Sequence, residues 1–467
     1  MNDSFGNTVT LTDGAALTHL EGALDGLLHF RGAIQTEINS ALALEPGFAM
    51  AHAFDAYLAM LTLESDGAIR ARADFNTFLE TLQTSSLTER ERLHVQAADT
   101  LLDGNFLGAS AILETINHEY PRDLLALAVG HHIDFFTGAT RLLRDRPAAT
   151  LSAWSESDAN YANVLGMLAF GLEECHQHDR AFEVGLEAVE RNPKDVWAMH
   201  AVGHTFEETG RFADGLKFYD DRLSDWTTGN FYNVHNWWHY ALYALEAGDT
   251  TRALAVHDGV LFTAQTGNLS LQLTDASALL WRMRLEGHVE LERFQILAER
   301  WRAKIEPEFH AFIDMHMVMA FVGAGHEEDA ERVIAKRERW LEAGPAETIT
   351  NVHMTRAIGL PVARAILAFG RHQFERVIEL LFPIRHRIHE FGGSHAQRDA
   401  VLKTLIEACL RAGQFRRAQS LVSERLSVRP RSPYNWLKHA EALEGLGQHT
   451  QAALARVTAL EQRSQVH

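Results

Sequence analysis

The 467-residue chain has only two cysteines, Cys175 and Cys409. Two thiols cannot build a four-cysteine structural zinc site, and nothing in their spacing supports a disulfide. So low a count fits a reducing compartment, and a cytoplasmic location is expected. Proline is scarce as well, ten residues in all, so long stretches run without a helix breaker. Basic charge is in deficit: 43 Lys and Arg against 62 Asp and Glu leave a formal charge of −19. Such a surface repels phosphate backbones, so neither nucleic acid nor an anionic membrane is an expected partner. The opening MNDSFGNTVT lacks a basic segment followed by an apolar one, so no signal peptide is read. The uncharged run 226–245 carries Asn230, Asn233, His235, Asn236 and His239, which would be costly in lipid, so no transmembrane helix is read. Phosphate loops, a dinucleotide fingerprint and a Gly-x-Ser-x-Gly elbow are missing too.

What fills the chain is Ala, Leu, Glu and Arg, with apolar residues at helical spacing. In 411–426, Phe415, Ala418, Leu421, Val422 and Leu426 mark one helix face. The fold class is all-α. One pattern recurs: an apolar helix, a small residue with Gly, then a second helix. It appears at Gly104, Gly210, Gly248, Gly325, Gly413 and Gly447. Glycine there suits a left-handed helix C-cap before a tight turn. Gly413 to Gly447 spans 34 residues, the tetratricopeptide period, and Gly210 to Gly248 spans 38. The expected architecture is an α-solenoid of degenerate helix pairs curled around a concave groove or pocket. Breaks are expected near 144–148, 263–268 and 344–350, giving regions 1–150, 151–265, 266–345 and 346–467.

Histidine is the unusual excess, 26 residues. Trp197, His200, His204 and Glu207 are spaced three, four and three, on one helical stripe. His235 and His239 repeat the four-residue step. His239 and His316 each precede a turn glycine by nine residues, equivalent places in their repeats. First helices of such pairs line the concave face, so His200, His204, Glu207, His235, His239, Asp314 and His316 are expected there together. Trp197, Trp237, Trp238 and Tyr240 would supply aromatic walls, with Asn236 between them. Gly392-Gly393-Ser394-His395-Ala396-Gln397-Arg398-Asp399 forms a second polar cluster, in which Ser394 reads as a helix cap. Gly130-His131-His132-Ile133-Asp134 is a third.

Neutral imidazoles four apart can share one metal ion, so His235 and His239 are candidate ligands for zinc, iron or manganese. The His-Glu-x-x-His signature is absent, since Ala, Val and Gly separate His200 from His204. Without metal, imidazoles and carboxylates in a sheltered groove still act as acids and bases near neutral pH. Cys409 reads as core, and acids beside Cys175 would raise its thiol pKa, so neither is expected to be a nucleophile.

Several of these segments carry a family resemblance. Phe135-Phe136-Thr137-Gly138 with Leu143-Arg144-Asp145-Arg146, Leu168 through Glu174, Trp197 through Gly210, His235 through Leu242 and Gly393 through Asp399 resemble the tetratricopeptide repeat protein 38 family. The likeness runs from about residue 20 to the C-terminus. It implies an α-solenoid of degenerate repeats in a soluble protein and no settled activity.

Two functions fit these residues. In the first, the chain is a small-molecule enzyme of hydrolase or lyase class. His239 or His316 is the base, oriented by Glu207 or Asp314, and His200 and His204 complete the acid–base set. Arg398, His395, Gln397, Asp399, Asn236 and His132 hold substrate, while Trp237 and Trp238 exclude water. In the second, the concave face binds a peptide, and the acidic charge favours a basic one. A homodimer is the candidate assembly in either case.

Overall fold

A computed structural model describes residues 1–82, 86–306 and 308–464. The regular structure of these residues is helical, without a β-strand; a single bridge pairs Asn2 with Thr8. The helices come as pairs joined by short turns, such as Glu89–Leu102 with Phe106–Glu119 and Pro433–Gly445 with His449–Ser464. The turn glycines are left-handed: Gly104, Gly210, Gly248, Gly325, Gly413 and Gly447 have φ between 70° and 81°. At Gly447, where a Cβ would meet no atom within 4 Å, this backbone angle alone is the reason for glycine. The chain is therefore an all-α protein of tetratricopeptide-like helix pairs.

The helices group into two compact units. The first comprises Met1–Val202, Ser224–Asn233 and Pro345–His353. Its core includes Phe54, Tyr57, Leu113 and Phe170. Inside it Asp123 caps Leu124–Thr137 through the Ala126 amide (2.9 Å) and holds Arg90 (2.7 Å) and His94 (2.9 Å). A buried carboxylate met by a cap amide, a guanidinium and an imidazole has its hydrogen-bonding needs satisfied.

The second unit comprises Gly203–Leu223, Val234–Gly344 and Met354–His467. Its largest buried side chains include Trp238, Trp281 and Trp301. Two of these indoles find hydroxyl partners: Trp281 donates to Thr404 (2.9 Å) and Trp301 to Ser277 (3.0 Å). The two helices of a pair differ in how much they bury. Phe415–Val428 buries only the stripe Ala418, Leu421 and Val422. Ala311–Gly323 is buried along its whole length, because Ser270–Leu285, Leu291–Arg302, Glu327–Glu342 and Leu360–Gly370 all pack on it. This first helix is thus enclosed within the second unit. The helical stretch Thr350–Gly370 is long and apolar enough to cross a membrane by length and composition, and 72% of its 18-residue apolar window is buried in the folded chain.

Candidate functional site

Two helices carry the main cluster of the second unit. Val196–Glu208 starts in the first unit and enters the second after Val202. Asp195 caps it, accepting from the amides of Trp197 (3.1 Å) and Ala198 (2.9 Å). Its last two turns present His204 and Glu207, three apart on one face. Asn233–Glu246 presents His235 and His239, one turn apart. Gly203 lets these elements approach closely: Tyr243 donates to its carbonyl at 2.6 Å, and a Cβ there would lie 2.3 Å from the Tyr219 hydroxyl.

The approach brings three imidazoles together. One ring nitrogen from each of His204, His235 and His239 lies within 4.8 Å of the others. The His204 and His239 rings meet edge to face at 4.4 Å, and those of His235 and His239 at 5.0 Å. Each of two imidazoles is held by its own carboxylate. His239 Nδ1 donates to Glu207 Oε2 at 2.9 Å. His235 Nδ1 donates to Asp275, with 2.9 and 3.0 Å to the two oxygens. His204 and His239 are fully buried, and the His235 side chain is 13% exposed, so it is the member of the three that reaches solvent. Trp238 stacks on His235 at 5.2 Å, and the Arg282 guanidinium lies over the Trp238 ring at 5.2 Å.

Burial dominates the electrostatics. It pushes the imidazoles of His204 and His239 well below the ordinary range, and the neighbouring imidazoles push the same way. Both are therefore neutral at physiological pH. Burial also raises the Glu207 carboxyl to about 7, against the pull of Arg429 and Arg282. Arg282 is enclosed with its guanidinium bonded to the carbonyls of Ala278 and Ala396, and burial lowers its pKa from the ordinary value.

The remaining candidates lie in several places. His200 belongs to the first unit, one turn before His204 on the same helix. Its ring stacks on Phe170 at 5.2 Å and packs against Trp197 at 5.0 Å. His132, also in the first unit, donates through Nδ1 to the Ala128 carbonyl at 2.8 Å, and burial lowers its pKa. His316 donates through Nδ1 to the Phe312 carbonyl at 2.9 Å, and burial lowers it to about 3. Both oxygens of Asp314 are held by Arg337, at 2.7 and 2.9 Å. Arg337, not His316, is thus the residue that Asp314 orients.

At the second polar cluster Ser394 caps His395–Arg411, and Gln397 closes a capping box with it. Arg398 bonds the Gly393 carbonyl and the His395 ring, while Asp399 pairs with Arg425 and Arg429. Burial would raise the Asp399 carboxyl, but these two guanidinia hold it well below the carboxylate range. Asn236 accepts from Tyr219 at 3.3 Å, and Trp237 packs on Tyr240 at 5.2 Å. Both cysteines are free thiols, and burial raises each, so neither is activated.

Sequence reasoning missed Asp275 and Arg282. Both lie on Ser270–Leu285, whose run of apolar residues reads as core. The signal was there in Asp275 and Arg282, two charges seven residues apart and hence on one stripe of a helical stretch whose one other charge is Arg284.

No family model matches the chain. Among solved structures it is similar to the human IFIT1 dimer with PPP-AAAA, at 12% identity over 97% of this chain and 95% of that one, with a TM-score of 0.38. It is likewise similar to yeast Tom70, at 12% identity over 96% and 95% of the two chains, with a TM-score of 0.33. Likeness at this level says nothing of ligand or activity.

Proposed function

We propose that this helical-repeat protein is an enzyme acting on a small molecule, with its chemical centre at His204, His235, His239, Glu207 and Asp275. The observation that carries this reading is the convergence of two imidazole–carboxylate pairs, His239–Glu207 and His235–Asp275, on a third imidazole. A carboxylate holds the single structural histidine His94 as well, and backbone carbonyls hold His132 and His316; what sets this centre apart is that two carboxylate-held rings meet a third imidazole. Here carboxylates orient the rings, which is the arrangement that positions a proton acceptor. His239 is the base, Glu207 its positioning residue, and His235 the member that meets the substrate from solvent. Hydrolysis or elimination is the reaction class that such groups serve.

The test is turnover by the purified full chain on a panel of ester, amide and β-elimination substrates, repeated with His239→Asn and Glu207→Gln. Loss of about 10²-fold or more in kcat for His239→Asn, with the fold intact by circular dichroism, is expected. Unchanged turnover in His239→Asn overturns the assignment.

A second reading is a peptide-binding repeat scaffold. It is favoured by the exposed apolar stripe Leu454, Val457 and Leu460 on the helix His449–Ser464, 51–64% exposed. Such a stripe suits an amphipathic helical peptide, and the −19 charge favours one carrying basic residues on its polar face. Binding of a basic amphipathic model peptide that Leu454→Glu/Leu460→Glu abolishes supports it; equal binding by both proteins removes it.

A further inference from the structure

The centre of the second unit has a feature that acid–base chemistry alone does not require. A general base needs one oriented imidazole. Here three imidazoles offer ring nitrogens within 4.8 Å of one another. We infer that His204, His235 and His239 bind a divalent transition-metal ion of the zinc type, with Glu207 and Asp275 as its outer carboxylates. The inference rests on the same centre as the proposed enzyme but not on its having turnover.

The imidazole orientations support it. His235 and His239 both direct Nδ1 at a carboxylate, at 2.9–3.0 Å and 2.9 Å. With Nδ1 protonated and donating, the lone pair sits on Nε2, on the opposite side of the ring. A carboxylate behind each imidazole is the usual support of a metal-bound histidine, because it fixes the tautomer and raises the basicity of the ligand. His204 supplies the third nitrogen, with its ring 4.4 Å from that of His239.

Spacing fits as well. Metal–nitrogen bonds of about 2.0–2.1 Å at tetrahedral angles put ligand nitrogens about 3.4 Å apart. From separations of 4.8 Å or less, small side-chain rotations reach that value. Paired ligands one turn apart on a helix, as His235 and His239 are, can face one ion without backbone movement. Three neutral imidazoles bring no charge, so the two outer carboxylates balance a 2+ ion. Imidazole ligands select zinc, iron, nickel or copper over magnesium and calcium, which prefer oxygen.

Three histidine ligands leave a fourth position. It is open to water or substrate in catalytic sites.

The experiment uses the full chain, stripped of metal by chelator and then titrated with Zn²⁺ and, separately, Co²⁺. Bound metal is counted by elemental mass spectrometry, and the visible bands of Co²⁺ report its geometry. One equivalent per chain is expected, with the intense absorption of a tetrahedral or five-coordinate site. His235→Ala/His239→Ala should lose it. Asp275→Asn keeps every ligand and should weaken binding 10–100-fold while the protein stays folded by circular dichroism. Folded wild type that binds neither ion stoichiometrically overturns the inference, as does undiminished affinity in both variants. Turnover by protein that binds neither ion would sink the metal and leave the acid–base centre standing. Stoichiometric metal without turnover on any substrate would do the reverse.

Discussion

Arg337 shows how a single side chain assigns work to its neighbour. Its guanidinium forks onto both oxygens of Asp314 and also donates to the Ile305 carbonyl at 3.0 Å. Both partners are buried, 2% and 5% exposed. Removing one charge from such a pair leaves the other desolvated and unpaired, which costs about 3–5 kcal/mol. Asp314→Ala should therefore lower stability by that amount, read as a shift of the urea midpoint at constant m. Metal content and turnover per folded molecule should not change. Asp314→Ala that folds normally but loses turnover would return Asp314 to the chemical centre. Nothing in the sequence separates these roles, because Arg337 lies 23 residues from Asp314 and on another helix.

At the scale of the helix, turn and cap were readable from local residues alone. Gly413 and Gly447 could be placed because a left-handed cap needs a residue without Cβ, and that requirement is independent of the rest of the fold. Ser394 could be read as a cap for the same reason. The partners of the histidines could not be read this way. His239 meets Glu207 and His235 meets Asp275 across 32 and 40 residues of chain, through helix packing that no local pattern encodes. Two glycines of one turn separate these two kinds of constraint. Gly447→Ala meets only the cost of a left-handed angle, about 1 kcal/mol. Gly445→Ala places a Cβ 2.3 Å from the Phe415 ring, so that ring must leave its place, for about 1–3 kcal/mol. Thermal melts of the two variants should rank Gly445→Ala as the less stable.

Across the whole chain the buried histidines act together. His131 and His132 in the first unit and His204, His239 and His316 in the second all have pKa values lowered by burial. The folded chain therefore binds fewer protons than the unfolded chain as pH falls below about 6.5, the ordinary imidazole value. Stability must fall with falling pH from that point, by up to about 1.4 kcal/mol per histidine per pH unit. Five carboxyls raised by burial work in the opposite direction, Asp134, Asp195 (to about 6), Glu207 (to about 7), Glu286 and Glu407, but eight imidazoles are lowered by it once His52, His257 and His439 are included. The midpoint temperature of metal-free protein should drop steadily from pH 7 to pH 5, before ordinary carboxylates begin to titrate. A flat profile over that range would contradict the buried, neutral state of these rings. His131→Leu should make the slope shallower.

Trp238 gives the centre an optical voice. It is one of nine tryptophans, fully buried, stacked on His235 at 5.2 Å and edge-on to His239 at 4.9 Å. An indole so placed emits at short wavelength, and its excited state is sensitive to any charge arriving at the rings beside it. Cobalt or copper bound there would quench it by energy or electron transfer, whereas zinc would alter its intensity without that route. The difference spectrum between wild type and Trp238→Phe isolates this one emitter from the other eight. The chain therefore reports on its own centre in dilute solution, before any substrate is known.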